Sequence, residues 1–290
     1  FTGSGTEANN LALRGVNLPV VTTLGEHASV LQPVGKGIVA VDQNGIVDLE
    51  MLEHILQTLD KKLLVSVILA NNETGVIQPI AKIAELVHKY DCLLHTDASQ
   101  ALGKIPLDLE DLKADLITVT AHKFGGTTGA AGLFVKKGLD IKPLLIGGGQ
   151  ERGMRSGTPN VAAIHGFGLA CEIAKHTLPE YKKVAELRNY IENELRSIAP
   201  SAVIFGEDVE RLPNTTSITM PFVKNETQVI HFDLNGIAIS AGSACSSGRM
   251  DYPHVQLAMG YDSTIAVTAI RISLGLTNTR EEADQFIKVW

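Results

Sequence analysis

The chain has 290 residues, 44% hydrophobic and 20% charged, an ordinary globular balance that argues against disorder and allows one large or two modest domains. Its net charge of −7 gives no basic footprint for DNA or RNA, and no apolar run approaches the roughly 20 residues of a membrane-spanning helix. Three scattered cysteines, Cys92, Cys171 and Cys245, are too few for a disulfide framework, so reduced thiols in a cytosol-like compartment are expected.

Residues 5–14 read as a helix reached through a glycine turn, and 19–23 as a short apolar strand. Leu49, Leu52, Ile55, Leu56 and Leu59 recur at a helical period, which predicts a helix over 48–59 with Asp48 as its N-cap. A buried β-branched strand is expected over 63–70, a helix over 80–90 after Pro79, and strands over 93–97, 116–120 and 132–135. Continuously apolar strands separated by helices predict an α/β fold, a mostly parallel sheet flanked by helices on both faces. Helices follow over 161–176 and 179–198. Strands over 202–205, 215–220, 237–240 and 269–274 then mix with helices over 226–235 and 253–259, the texture of a smaller α+β C-terminal domain. The expected division is 1–177 and 178–290. The opening Phe1 and the helical pattern cut short at Trp290 read as those of a fragment or a processed form.

Gly3-Ser4-Gly5-Thr6-Glu7-Ala8 fits the G-x-G-x-x-A dinucleotide pattern, with Glu26 as the later acid, but no strand precedes it. What survives is more general: glycines turning into a helix N-terminus whose N–H groups suit a phosphate, against the plainer reading of an ordinary helix start. Asp97 closes a buried strand, where ligands of open parallel sheets bind. A lone acid there is more often a helix cap. Thr120-Ala121-His122-Lys123 repeats the geometry at a second strand end, with Phe124-Gly125-Gly126 behind it. A lysine at the mouth of a sheet, beside a hydroxyl and an imidazole, suits an imine with an aldehyde, and an acid on the next strand suits a pyridine nitrogen.

In these stretches the chain resembles the cysteine desulfurases of the class V, pyridoxal-phosphate-dependent aminotransferase family, and among them the iron–sulfur-cluster assembly subgroup. Besides the motifs above, the resemblance is carried by Glu26-His27, Asn71-Asn72-Glu73-Thr74-Gly75, His95-Thr96-Asp97-Ala98-Ser99-Gln100, the run from Gly147 to Thr158, Gly242-Ser243-Ala244-Cys245-Ser246-Ser247-Gly248, and Arg271-Ile272-Ser273-Leu274-Gly275. It implies fold type I of the pyridoxal-phosphate-dependent transferases, with 1–177 as the cofactor-binding domain and 178–290 carrying the nucleophilic cysteine. The family's first several dozen residues and its final helical segment have no counterpart here.

The resemblance also implies roles. Lys123 would attach pyridoxal 5'-phosphate, Asp97 would pair with its ring nitrogen, and His27 would stack on the ring and handle protons. Gln100 would bond the phenolic oxygen, and Gly5, Thr6, Thr120 and His122 would hold the phosphate. Asn72 would lie near the ring oxygen and the substrate carboxylate, which Arg271 would clamp. Thr158 would reach the phosphate of the second subunit of a homodimer. Cys245 would take sulfur from L-cysteine as a persulfide and pass it to an iron–sulfur scaffold protein or another sulfur acceptor, for cluster assembly and tRNA thiolation. The alternative is a fragment, or a lyase of the selenocysteine lyase type, with little turnover. No resident metal, nucleic acid or membrane is expected, apart from a nascent iron–sulfur cluster that Cys245 could share, and the location implied is the cytoplasm, or the mitochondrial matrix of a eukaryote. Cys92 and Cys171 read as small core hydrophobes. Residues 246–253, poor in apolar side chains and holding Gly248, read as a mobile loop that lets Cys245 shuttle.

Overall fold

The computed structural model describes residues 1–35, 37–59, 61–242 and 253–290. Cys245 and all of the expected shuttle loop but Pro253 therefore lie outside the described residues. By its internal contacts the chain parts into two units, the first made of Phe1–Ala40, Val47–Ala70 and Gln78–Leu178. The second comprises Val41–Ile46, Asn71–Ile77 and Pro179–Trp290. A single cut at 177/178 leaves the two short segments, and Asn72 with them, in the first part; the contacts assign them to the second.

The first unit opens with α1 (Gly5–Gly15), β1 (Val20–Thr22) and α2 (Ala28–Val34). Asn17, with φ of 55°, ends the α1 direction in the left-handed region that Asn tolerates. After α3 (Leu49–Leu59) come β2 (Leu64–Ser66), α4 (Ile80–Lys89), β3 (Leu93–Asp97), β4 (Leu116–Thr120), β5 (Ala131–Val135) and α5 (Val161–Thr177). The strands form one sheet in the order β1-β2-β3-β4-β5, parallel through β4, with β5 antiparallel on the edge. Asp48 caps α3 as expected, its Oδ1 accepting the Met51 N–H at 2.8 Å. The strand expected over 63–70 is assigned only to Ser66, but its pairing continues: Val67 and Leu69 donate to the carbonyls of His95 and Asp97. Leu11 and Leu13 of α1, Val30 of α2, Leu64 of β2, Leu116 of β4 and Ile141 pack into one apolar cluster. That cluster fixes α1 against the sheet, and with it the helix start beside the strand ends.

The second unit holds α6 (Tyr181–Ile198), β6 (Thr215–Thr219), α7 (Asn225–Leu234), β7 (Ser240–Ala241), α8 (His254–Ala258), α9 (Ser263–Ala266), β8 (Ala269–Ser273) and α10 (Arg280–Val289). Its antiparallel sheet runs β6-β8-β7. The strand expected over 202–205 is reduced to an isolated bridge between Ile204 and Ile218. Ile218, Ile270 and Ile272 of the sheet pack on Ile191 and Leu195 of α6, Phe232 of α7 and Phe286 of α10. The rings of Phe232 and Phe286 stack at 4.8 Å. Cys92 is buried at 3% exposure, as its apolar strand requires. Cys171 is not a core residue: α5 buries Ala163, Phe167, Ala170 and Ala174, and a residue one step past that stripe turns outward.

Candidate active site

Parallel strands deliver their C-terminal ends to one edge of a sheet, and the first unit concentrates its polar residues there. Ser4 caps α1 by accepting the Glu7 N–H on Oγ at 3.1 Å and the Ala8 N–H on its carbonyl at 3.0 Å. The N–H groups of Gly5 and Thr6 have no acceptor inside the helix and carry the partial positive charge of its N-terminus. A Cβ on Gly5 would lie 3.4 Å from the Thr120 Cβ, an ordinary contact distance that places the helix start against the end of β4. Thr120 Oγ1 is 3.1 Å from His122 Nδ1. Ser99 Oγ, 3.8 Å from the same Cβ position, is buried with no partner among the described residues. The start of α1, Thr120 and Ser99 thus lie side by side at the strand ends. The Gly3 N–H and Arg155 Nε both donate to Glu7, at 2.9 and 2.8 Å, and brace this turn from outside.

Asp97 ends β3 at 7% exposure with both oxygens held. Oδ2 accepts from Asn9 Nδ2 at 2.7 Å and Oδ1 from the Ser99 N–H at 2.9 Å. Below it in the same strand, His95 is wholly buried between Ser66 Oγ at Nδ1 (2.8 Å) and Thr118 Oγ1 at Nε2 (3.0 Å). Burial pushes the His95 imidazole down to about 4, against the pull of the Asp97 charge. Gln100 accepts on Oε1 from the buried Lys104 ammonium at 2.9 Å. A lysine only donates, so the amide oxygen is the end it faces and the NH2 group is left for another acceptor.

Lys123 is exposed at the end of the 3₁₀ turn Ala121–Lys123 that follows β4. Burial, and then the Lys123 charge, hold the His122 imidazole below its ordinary value. His27 is exposed and caps α2, its Nδ1 accepting the Ser29 N–H at 3.1 Å. Glu26 beside it is fully buried, with Oε1 accepting from Thr23 Oγ1 at 3.0 Å and from the Ile68 N–H at 2.8 Å. Burial pushes this carboxyl up to about 8, the two donors pull it back, and the Asp97 charge adds to the rise. A wholly buried Glu26 cannot present a carboxylate to a ribose, which removes the dinucleotide reading of the Gly3–Ala8 pattern.

Asn72 and Arg271 meet within the second unit. Asn71 Oδ1 accepts the N–H groups of Glu73 and Thr74, and Gly75, at φ of +77°, closes the turn. The turn presents the Asn72 carbonyl to Arg271 Nη1 at 2.8 Å, while Nη2 donates to Ser240 Oγ at 3.1 Å. Arg271 Nε is buried without a partner among the described residues. Burial lowers the guanidinium's pKa, opposed by the charge of Glu73. Thr158 is exposed, and no hydrogen bond among the described residues ties it to Thr120 or His122. Asn9, Ser29, Ser99 and Lys104 had no role in the sequence reading. Only Asn9 left a sequence signal, an amide on the otherwise apolar inner face of α1.

Residues 1–286 match the aminotransferase class-V family. The chain is 37% identical over 305 residues to a cysteine desulfurase IscS of Dictyoglomus turgidum, covering all of this chain and 77% of that one. A solved NifS-like protein from Rickettsia africae superimposes with a TM-score of 0.92 at 39% identity, covering 99% of this chain and 79% of the other. A structure of SspA in complex with cysteine gives a TM-score of 0.77 at 27% identity, over 96% and 81% of the two chains. With that span matched, and such identity sustained along its whole length, the chain belongs to the class V aminotransferase family.

Proposed function

We propose that the protein is a pyridoxal-phosphate-dependent cysteine desulfurase that converts L-cysteine to L-alanine and leaves the sulfur as a persulfide on Cys245. The observation that carries the reading is the start of α1 lying beside Thr120 and the buried, unpartnered Ser99 Oγ, in the unit where Asp97 is held on both oxygens. The orphaned Ser99 Oγ and the N–H groups of a helix start fit a phosphate, and the carboxylate one strand over fits a protonated ring nitrogen. Bound there, pyridoxal phosphate supplies an aldehyde for amine attachment and a ring that takes up carbanion charge.

Lys123 Nζ would be the amine that holds the cofactor's aldehyde. Asp97 would hold the proton on its ring nitrogen, and His27 would supply the imidazole that moves protons. Gln100 donates to the phenolic oxygen with the NH2 group that Lys104 leaves outward. Arg271 and Asn72 take the substrate carboxylate, for which the Arg271 Nε is an available donor. The Cys245 thiolate would attack the substrate sulfur; the bond from that sulfur to carbon breaks, its electron pair leaves with the carbon fragment, which takes up protons on the way to alanine, and the new sulfur–sulfur bond stays on the enzyme. A homodimer, with Thr158 reaching the partner's phosphate, is supported by the exposed apolar surface at Ile146, Val161, Leu169 and Ile173. The persulfide goes to a sulfur-acceptor or iron–sulfur scaffold protein. No described helix is long and apolar enough to cross a membrane.

Two variants test the reading. Lys123→Ala should lose the borohydride-reducible attachment of the cofactor, and labelling of another lysine would refute that assignment. Cys245→Ser should bind cofactor and cysteine yet accumulate no protein persulfide. Normal sulfide release by that variant without added thiol would refute the desulfurase chemistry.

A further inference from the structure

Asn9 spends both of its amide hydrogens on neighbours: one on Asp97 Oδ2 at 2.7 Å, the other on Ser29 Oγ at 2.8 Å. Its own carbonyl oxygen is buried without a partner among the described residues. Flipping the amide would set an oxygen against the Asp97 carboxylate, so the NH2 group is the end that faces Asp97. A buried acceptor left unsatisfied destabilises the fold, so stability alone does not explain an amide at this position. Ser29 is 7% exposed, and its hydroxyl lies 2.8 Å from His27 Nδ1. That hydroxyl accepts from Asn9, and because a backbone N–H makes Nδ1 an acceptor, the hydroxyl's one proton is the donor to Nδ1. The Ser29 N–H donates to the same nitrogen. Two donors on Nδ1 require it to be the lone-pair nitrogen, which leaves the proton of the neutral ring on Nε2.

We propose that Asn9 and Ser29 are positioning residues, a buried relay that ties the Asp97 carboxylate to the His27 imidazole and holds the His27 proton on Nε2. Every link joins residues of the first unit, and the direction of each bond follows from its neighbour. Asp97, which cannot donate as a carboxylate, orients Asn9; Asn9 orients the Ser29 hydroxyl; Ser29 orients the ring. The proposal rests on the reading of Asp97 and His27 as cofactor-facing groups, since only then does their mutual alignment matter to turnover.

The test uses the full chain with and without cofactor. In the cofactor-free protein, nitrogen NMR of the His27 ring, assigned by its loss in His27→Gln, should show protonated Nε2 and bare Nδ1 for the neutral imidazole. Ser29→Ala should lower kcat about three- to tenfold, the size of one lost hydrogen bond, with the KM for cysteine within twofold. Ser29→Thr, which keeps the hydroxyl, should restore kcat. Asn9→Ala combined with Ser29→Ala should cost no more than Asn9→Ala alone. Should Asn9→Ala fail to fold, Ser29→Ala, Ser29→Thr and the ring spectrum decide the matter without it. A proton found on Nδ1, wild-type kcat in Ser29→Ala, no rescue by Ser29→Thr, or additive losses in the double variant would each overturn the relay. Failure of the underlying site reading looks different: Asp97→Ala and His27→Gln would themselves leave cofactor affinity and kcat unchanged.

Discussion

Glu26 in the first unit and Glu192 in the second are both buried carboxyls, at 1% and 8% exposure, and both accept hydrogen bonds. Their surroundings treat them in opposite ways. Glu192 takes Arg211 Nη1 and Nη2 on its two oxygens at 2.8 and 2.9 Å, and Thr216 Oγ1 at 2.6 Å. Burial works to raise its pKa, but Arg211 and Thr216 outweigh it, and the carboxyl stays below the usual range. Glu26 is held by a hydroxyl and a backbone N–H and faces the like charge of Asp97, so burial wins and the carboxyl stays protonated at neutral pH. The second unit buries charge to clamp its helix α6 to β6. The first buries polar groups one step behind the strand ends, where Glu26 and His95 are held by hydroxyls and a backbone N–H.

The largest expected effect is on the clamp. Arg211→Ala removes both guanidinium bonds to Glu192, leaving Thr216 and the more distant Arg188 Nε at 4.0 Å, and should cost about 3–5 kcal/mol in denaturant unfolding. A loss under about 1 kcal/mol would erase the contrast. Next is Glu26. Its folded pKa of about 8 exceeds the ordinary 4.5, so the folded state keeps a proton that the unfolded chain has lost. The stability this contributes is full below pH 4.5 and disappears as pH rises through 8. At about 1.4 kcal/mol per pH unit, the decline between pH 5 and 8 should be about 2–4 kcal/mol. Glu26→Gln should flatten it while keeping the acceptor for Thr23 and Ile68, and parallel stability curves for the two proteins would refute the protonated state. His95 has the reverse sign. Its pKa of about 4 lies below the ordinary 6.5, so its contribution is full above 6.5 and is lost as pH falls through 4. His95→Asn should show about 2 kcal/mol less acid loss in that window, and an unchanged acid limb would count against it. The smallest effect compares two caps. Ser4→Ala and Thr279→Ala should each cost about 1 kcal/mol, since each side chain accepts the third helical N–H of its helix. Only Ser4→Ala should also weaken cofactor binding by the apo-protein, and equal effects on affinity would deny the α1 start its role.

Much of the first unit was legible because its signals are local. The apolar runs ending at Asp97 and Thr120 give β3 and β4 to the residue, and both residues close their strands as that pattern implies. The helix α2 was missed: seven residues with Pro33 inside carry too little period, and its cap is a histidine rather than a common capping residue. The strand over 202–205 was expected from its apolar residues, but only Ile204 finds a bridging partner. Asn9 and Ser29 could not be read at all, since they join positions 88 and 20 apart in the chain and no short motif records such a contact. Cys171 misled because an apolar helix was taken as buried all round, whereas only one stripe of α5 is covered.

The turn that meets Arg271 has a consequence in time. Asn72 and Arg271 are 199 positions apart, yet both belong to the unit whose main body starts at Pro179. At about 5–20 residues per second a ribosome needs roughly 10–40 s to deliver the second after the first. Through that interval the Asn71–Gly75 turn can form from its own side-chain bonds, while the arginine it serves does not yet exist. All segments of the first unit, by contrast, are complete once Leu178 has emerged. A nascent chain released in between carries every segment of the first unit and the Asn71–Gly75 turn, but not the arginine that the turn meets.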